Sequence, residues 1–218
     1  MMSRTLAAVA AALVLLADHA SGQATTSSPP GSSPQAATSP WSFTASAYAY
    51  LVADSRNYVN PNFTADRGWF HLEGRYNYEA FKAGSLWVGR NFKAGEKLGL
   101  AVTPMVGGVF GDLTGIALGY NLSLSYAKVE LSSQCEYVFD TQDRSGNFFY
   151  TWSELSYSPL DWFRAGLVVQ RTKVYKTDLN IQRGLLAGFS YKKLDFTTYV
   201  FNFGWTDPTV VLAVGVNF

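Results

Sequence analysis

His71, Glu73, Arg75 and Asn77 follow one another at every second position. On an extended strand, residues two apart point to one side. An imidazole, a carboxylate and a guanidinium would therefore stand in a row. A histidine beside a carboxylate can move a proton or activate a nucleophile. A carboxylate and a guanidinium on an enclosed face can pair, or can line a wet path and select ions. The nucleophile is missing: the same-face neighbours are Trp69 and Arg75, and no serine accompanies the pair. The other histidine, His19, lies in the apolar N-terminal stretch, so His71 stands alone in the rest of the chain, too few for a typical zinc site. Cys135 is the sole cysteine, which excludes an intramolecular disulfide and a cysteine-based zinc site. It follows Val129, Leu131 and Ser133 and precedes Tyr137 and Phe139, the register of a small apolar outward residue. Asp140, Asp143 and Asp178 fall at turns, where aspartate is a solvated turn former. The glycines at Gly107, Gly108 and Gly111 lie in a strand and its turn, not in a phosphate-binding loop, and read as packing. These residues predict no enzyme, no metal and no cofactor.

The elements that would position this row are strands. Ile116, Leu118, Tyr120, Leu122 and Leu124 alternate with Gly115, Ala117, Gly119, Asn121 and Ser123, and the same period of two recurs from Trp41 onward. Segments such as Asp54–Asn57, Lys93–Lys97, Thr141–Gly146, Ser158–Asp161 and Thr206–Pro208 punctuate the runs as turns. The 178 residues from Trp41 to Phe218 divided among twelve strands give just under 15 each. A membrane-spanning strand takes about 9–11 residues plus a short connection. The prediction is an all-β, membrane-spanning, up-and-down antiparallel β-barrel of about twelve strands, or ten if two weak runs are loops. Tyr58–Ala65 is the least secure strand; without it the count would be odd. Pro104 interrupts the Leu98–Val106 run and predicts a bulge.

Composition separates a membrane barrel from a soluble one. Charged residues make up 15% and aromatics 16% of 218 residues. The face opposite the apolar one is mostly Gly, Ala, Ser, Thr and Asn with few lysines, whereas a soluble exterior carries about 25–35% charge. Trp41, Trp69, Trp162, Tyr191 and Trp205 cluster near strand ends, as interfacial girdles do. Net charge is +1, which supplies no basic excess for nucleic acid. Residues 1–22 have the form of a signal peptide: Arg4, an apolar run from Leu6 to Ala17, and small residues at Ala20 and Gly22. The run is short for an anchor helix, the alternative. Residues 23–40 form a Ser/Pro/Ala-rich tail with too little apolar surface to order. Residues 41–218 form the predicted barrel.

Val210, Leu212, Val214, Val216 and Phe218 make one apolar face on a last strand ending in Phe. This resembles the C-terminal assembly signal of bacterial outer-membrane β-barrel proteins. The resemblance implies a Gram-negative outer membrane, contact with outer-membrane lipid and the barrel-assembly machinery, and both termini in the periplasm. Gly146–Ser156 and Ser190–Phe196 are similar to segments of a recurring family of small porin-like outer-membrane proteins, from which no activity carries over. With termini periplasmic, the turns at Asp66–Gly68, Lys93–Lys97, Tyr126–Lys128, Ser158–Asp161 and Tyr191–Leu194 are predicted periplasmic. The connections at Asp54–Asn57, Ala80–Gly84, Phe110–Thr114, Asp140–Asn147, Thr172–Asp178 and Trp205–Pro208 are predicted external, none long enough for a large plug.

With the apolar face outward, the predicted lumen set is His71, Glu73, Arg75, Asn77, Glu130, Gln134, Glu136, Glu154, Arg164, Gln170 and Gln182. The expected function is a narrow passive channel for ions or small polar solutes, with a weak cation preference from the excess of Glu over Arg. The competing expectation is a structural or surface-interaction barrel, its lumen filled by ion pairs among the same residues. A barrel-embedded hydrolase is the minor alternative; the outer-membrane phospholipase pattern of His followed two residues later by Ser is absent.

Overall fold

The computed structural model describes residues 40–53, 56–174, 180–204 and 208–218. The expected signal peptide, nearly all of the tail, Trp205 and Asp178 lie outside these residues. The strands are β1 (Ser42–Val52), β2 (Tyr58–Arg67), β3 (Phe70–Tyr76), β4 (Ala83–Arg90), β5 (Phe92–Ala94), β6 (Leu98–Gly111), β7 (Gly115–Tyr126), β8 (Val129–Asp140), β9 (Phe148–Leu160), β10 (Phe163–Val174), β11 (Asn180–Tyr191), β12 (Leu194–Phe201) and β13 (Thr209–Asn217). All pairings are antiparallel and join sequence neighbours, except that β4 pairs with β6 across β5, and β1 closes on β13. Phe43 and Phe218 exchange backbone hydrogen bonds of 2.9 Å at the seam. β4 and β5 both pair with β6 and together act as one strand, so the barrel is twelve-stranded. Closure pairs both edges of every strand except the three-residue β5, which meets β6 alone; a wall in lipid demands such pairing. Tyr58–Ala65 falls within a full strand, β2.

The expected bulge at Pro104 is absent. Pro104 sits opposite Tyr120 in an unbroken β6–β7 register. On the other side the register runs from Gly89↔Met105 to Phe92↔Val102 without a shift. Proline lacks the N–H that a ladder needs, and the neighbouring strand yields instead, splitting at Asn91 into β4 and β5. A bulge does occur between β9 and β10, where the register slips between Phe163 and Ala165 beside Pro159.

The outer wall is apolar all round. Leu86, Val106, Ile116, Leu118, Leu155, Leu167 and Leu185 are each about half exposed or more. A water-soluble monomer rarely exposes so continuous an apolar surface; a lipid-facing barrel requires it. Cys135 is half-buried in the outward register of Tyr137 and Phe139. At one end, two-residue turns carry left-handed Ala127 and Lys192, and Trp41, Trp69, Trp162 and Tyr191 are exposed around the rim. Arg90 lies over the rings of Trp69 (5.4 Å) and Phe92 (5.2 Å). The other end carries the longer connections, including a 3-10 turn (Arg144–Gly146) capped by the Asp143 carboxylate.

Candidate functional site

Alternation on β3 turns His71, Glu73 and Arg75 into the lumen, where all three are buried. His71 Nδ1 is 2.8 Å from Asp66 Oδ1 on β2, and its Nε2 is 3.4 Å from Glu73 Oε2. Arg75 Nε donates to Glu73 Oε1 at 2.8 Å. Arg75 Nη1 donates to Glu136 Oε2 on β8 at 2.7 Å and lies 3.8 Å from Glu79 Oε1. Asn62 Nδ2 also donates to Glu73, at 2.7 Å. One guanidinium thus holds three carboxylates, and its flanks rest on Tyr78 (4.5 Å) and Trp87 (4.7 Å). Glu79 Oε2 and Glu136 Oε1 are buried with no hydrogen-bond partner. Both ring nitrogens of His71 thus face carboxylates, and among the described residues no three His, Cys, Asp or Glu side chains are arranged to hold a metal ion.

Glu79 was not in the sequence-derived set because it lies in the β3–β4 connection. That six-residue loop turns inward. Asn77 ends β3 in a left-handed conformation (φ 57°). Its amide does not line the lumen but bridges the Val59 carbonyl and the Lys82 N–H. Between these ties, Tyr78 packs edge-on against Tyr150 (5.5 Å) and donates to Gln134 Oε1 at 3.0 Å. Glu79 accepts from Ser85 Oγ at 2.5 Å and Trp87 Nε1 at 3.3 Å. Gly107 makes room for the Trp87 indole, since a Cβ there would fall 2.5 Å from the ring.

Aromatic side chains reach across the lumen. Tyr48 on β1 meets Trp152 on β9 at 6.4 Å between centroids, five strands away in a ring of twelve. Two rings so close belong to backbones no more than roughly 15 Å apart, whereas a round twelve-stranded barrel would separate them by roughly 23 Å. The barrel is therefore flattened at this level. Trp152 also packs on Tyr199 (4.9 Å) and Phe201 (5.2 Å), within a buried group that adds Tyr50, Val168, Leu186 and Val211. A second group, Ala83, Trp87, Met105, Val109, Leu113, Ala117 and Val138, fills the opposite wall. Both belong mainly to the half of the lumen nearer the long connections.

The other half is more open, with walls that mix aromatic and polar side chains. A cavity of about 370 Å³ lies against the aromatic layer. Tyr48, Tyr78, Tyr150 and Trp152 bound it on one side; Thr103, Asn121, Ser123, Ser132 and Gln134 bound it on the other. Glu154 and Arg164 also face it, joined at 3.0 Å; Arg164 continues to Thr197 Oγ1 at 2.9 Å, and Glu154 accepts from Trp152 Nε1 and Tyr199 Oη. Ala101 and Ser123 also line a second hollow at the short-turn rim, with Lys93, Gly99 and Ser125, so the two spaces adjoin.

Of the predicted set, His71, Glu73, Arg75 and Glu136 form one network, with Gln134 tied to it through Tyr78. Glu154 and Arg164 form a second. Glu130 is exposed near the short-turn rim, bonded to Ser123. Gln170 and Gln182 sit opposite each other in the inward register, outside both networks. The Gln170 Oε1 is buried without a partner. Asp66, Glu79 and the lumen aromatics were missed. The alternation does place Tyr48, Tyr50, Tyr150, Trp152 and Tyr199 inward, but aromatic residues read as lipid-facing by type.

No family model and no curated protein matches the sequence. Among solved structures, the KdgM porin is similar at a TM-score of 0.57 and 10% identity, over 80% of this chain and 99% of that one. The KdgM porin in complex with disordered oligogalacturonate is similar at 0.57 and 9%, with the same coverage. Pseudomonas aeruginosa OccK5 (OpdH) is similar at 0.45 and 9%, over 82% of this chain and 67% of that one. The fold is that of a porin-like outer-membrane barrel.

Proposed function

We propose that the chain is a narrow passive channel of the bacterial outer membrane for cations and small neutral polar solutes, with both ends of the barrel domain periplasmic. The observation that carries this reading is the cavity of about 370 Å³, walled by both aromatic and polar side chains, which adjoins a second hollow at one rim of an otherwise lipid-facing barrel. The layer of Arg75, Tyr78, Tyr150 and Trp152 is the constriction that a solute must pass. The KdgM porin is named in a complex with oligogalacturonate, an acidic saccharide. This lumen instead sets Asp66, Glu73, Glu79, Glu136 and Glu154 against Arg75 and Arg164. Its carboxylate excess argues against an anionic solute and for cations. The last strand, with Val210, Leu212, Val214, Val216 and Phe218, is proposed to present the assembly signal to the barrel-assembly machinery.

A second reading has support of its own: Trp87, Phe201 and Val211 are at most 1% exposed, as in a barrel closed by its own side chains. Liposome swelling separates the two. Proteoliposomes should swell in isosmotic glycerol and slowly in a monosaccharide, and not in a trisaccharide. No swelling in any solute favours the closed barrel.

A further inference from the structure

The arginines of the outer wall are treated differently at its two ends. At the short-turn rim, Arg90 lies over Trp69 and Phe92, and Arg67 lies over Trp41 at 5.7 Å. At the opposite end, Arg171 on β10 and Arg183 on β11 are exposed in the outward register of Leu167 and Leu185. Among the described residues neither guanidinium has a hydrogen bond, an ion pair or an aromatic ring against it. Arg171 pairs with Ile181 and Arg183 with Val169, so the two are diagonal neighbours. Diagonal positions lie about 7–8 Å apart, within reach of long side chains. Their outward neighbours Thr151, Val169, Ile181 and Leu185 include no carboxylate.

Height along the wall matters as much as spacing. Arg171 is nine residues from Trp162 and Arg183 eight from Tyr191, both aromatics of the opposite rim. At a rise of about 3.3 Å per residue and a tilt of about 40°, they stand roughly 23 Å and 20 Å from that rim. The apolar band of such barrels is about 25 Å tall, so both fall just inside its far edge. Other strands place exposed Phe110, Tyr137 and Phe139 near this edge. Two like charges at a lipid boundary, unpaired among the described residues, repel one another and are poorly solvated unless an anion lies between them.

We propose that Arg171 and Arg183 form an anion site on the outer wall that takes the phosphate of a phosphorylated glycolipid of the outer leaflet. Guanidinium forks suit phosphate bidentately, and the apolar wall below them suits acyl chains. The site rests on the membrane orientation proposed above and not on the lumen conducting, so a silent channel leaves it intact.

The test is binding of fluorescent bisphosphorylated lipid A to the full chain in maltoside micelles. Chemically dephosphorylated lipid A should bind the wild-type protein about tenfold more weakly. R171Q/R183Q should lose about tenfold in affinity for lipid A, R171K/R183K should lose less, and R90Q should lose nothing. Heat-modifiable gel migration checks that each variant is folded; the comparison of the two lipids on the wild-type protein needs no variant. Equal binding of the two lipids, an unchanged folded R171Q/R183Q, or displacement of lipid A by inorganic phosphate at equal concentration would each overturn the proposal.

Discussion

Replacing Arg75 by methionine keeps an apolar stem and removes the guanidinium, with its charge, its donors and its contacts with Tyr78 and Trp87. The side chain is 2% exposed and holds Glu73 at 2.8 Å and Glu136 at 2.7 Å, with Glu79 at 3.8 Å. Its loss leaves three carboxylates, each at most 3% exposed, with no guanidinium between them. Breaking a buried pair in this way costs about 3–5 kcal/mol, because the remaining charge stays buried and unpaired. Arg164 is the internal comparison. Its side chain is 35% exposed and holds one carboxylate, Glu154, at 3.0 Å. Water screens it, so R164Q should cost about 1 kcal/mol or less. The assay is urea unfolding of the protein in lipid vesicles, followed by tryptophan fluorescence. R75M should lose much more stability than R164Q. If both cost about 1 kcal/mol or less, the Arg75 layer is solvated, and its role as a tight constriction is wrong.

Four further outcomes follow from named contacts. Y78A removes the ring that meets Tyr150 and the hydroxyl that meets Gln134; it should raise single-channel conductance by about twofold or more, a change read in planar bilayers. G107V would drive a branched side chain into Trp87, whose ring lies 2.5 Å from an added Cβ; overpacking of about 1–3 kcal/mol should appear in the same urea assay, with a shifted Trp emission. A membrane-permeant maleimide should label Cys135 in vesicles roughly tenfold faster than a charged one, since the thiol shares the outward face; equal rates would place it in the aqueous lumen. Replacing Phe218 by serine removes the ring stacked 5.8 Å from Phe43 at the seam, and should slow assembly in cells more than it lowers the stability of the refolded barrel.

The wall was legible in the sequence because period two is a local property. Ile116 to Leu124 on β7 alternates as read, and expected connections such as Tyr126–Lys128, Asp140–Asn147 and Tyr191–Leu194 fall where the strands end. The lumen was less legible because it depends on distances across the barrel. Alternation puts Arg75 and Glu136 on one face, but only the ring order and the flattening bring them to 2.7 Å. Glu79 escaped notice for a related reason: no periodicity marks a loop that turns inward, and the left-handed Asn77 and Lys82 that bend it are ordinary turn residues by type. Pro104 shows the limit of a single-strand argument. Its missing donor was foreseen, but which of two neighbouring strands would absorb the gap was decided by β4 and β5.

The central claim is that solutes and ions cross through the lumen. Single-channel recording of the refolded chain in a planar bilayer under a salt gradient tests it most directly. Small, discrete conductance steps and a reversal potential whose sign shows cation preference are expected. A folded, inserted barrel that stays electrically silent, or one that prefers anions, would contradict it.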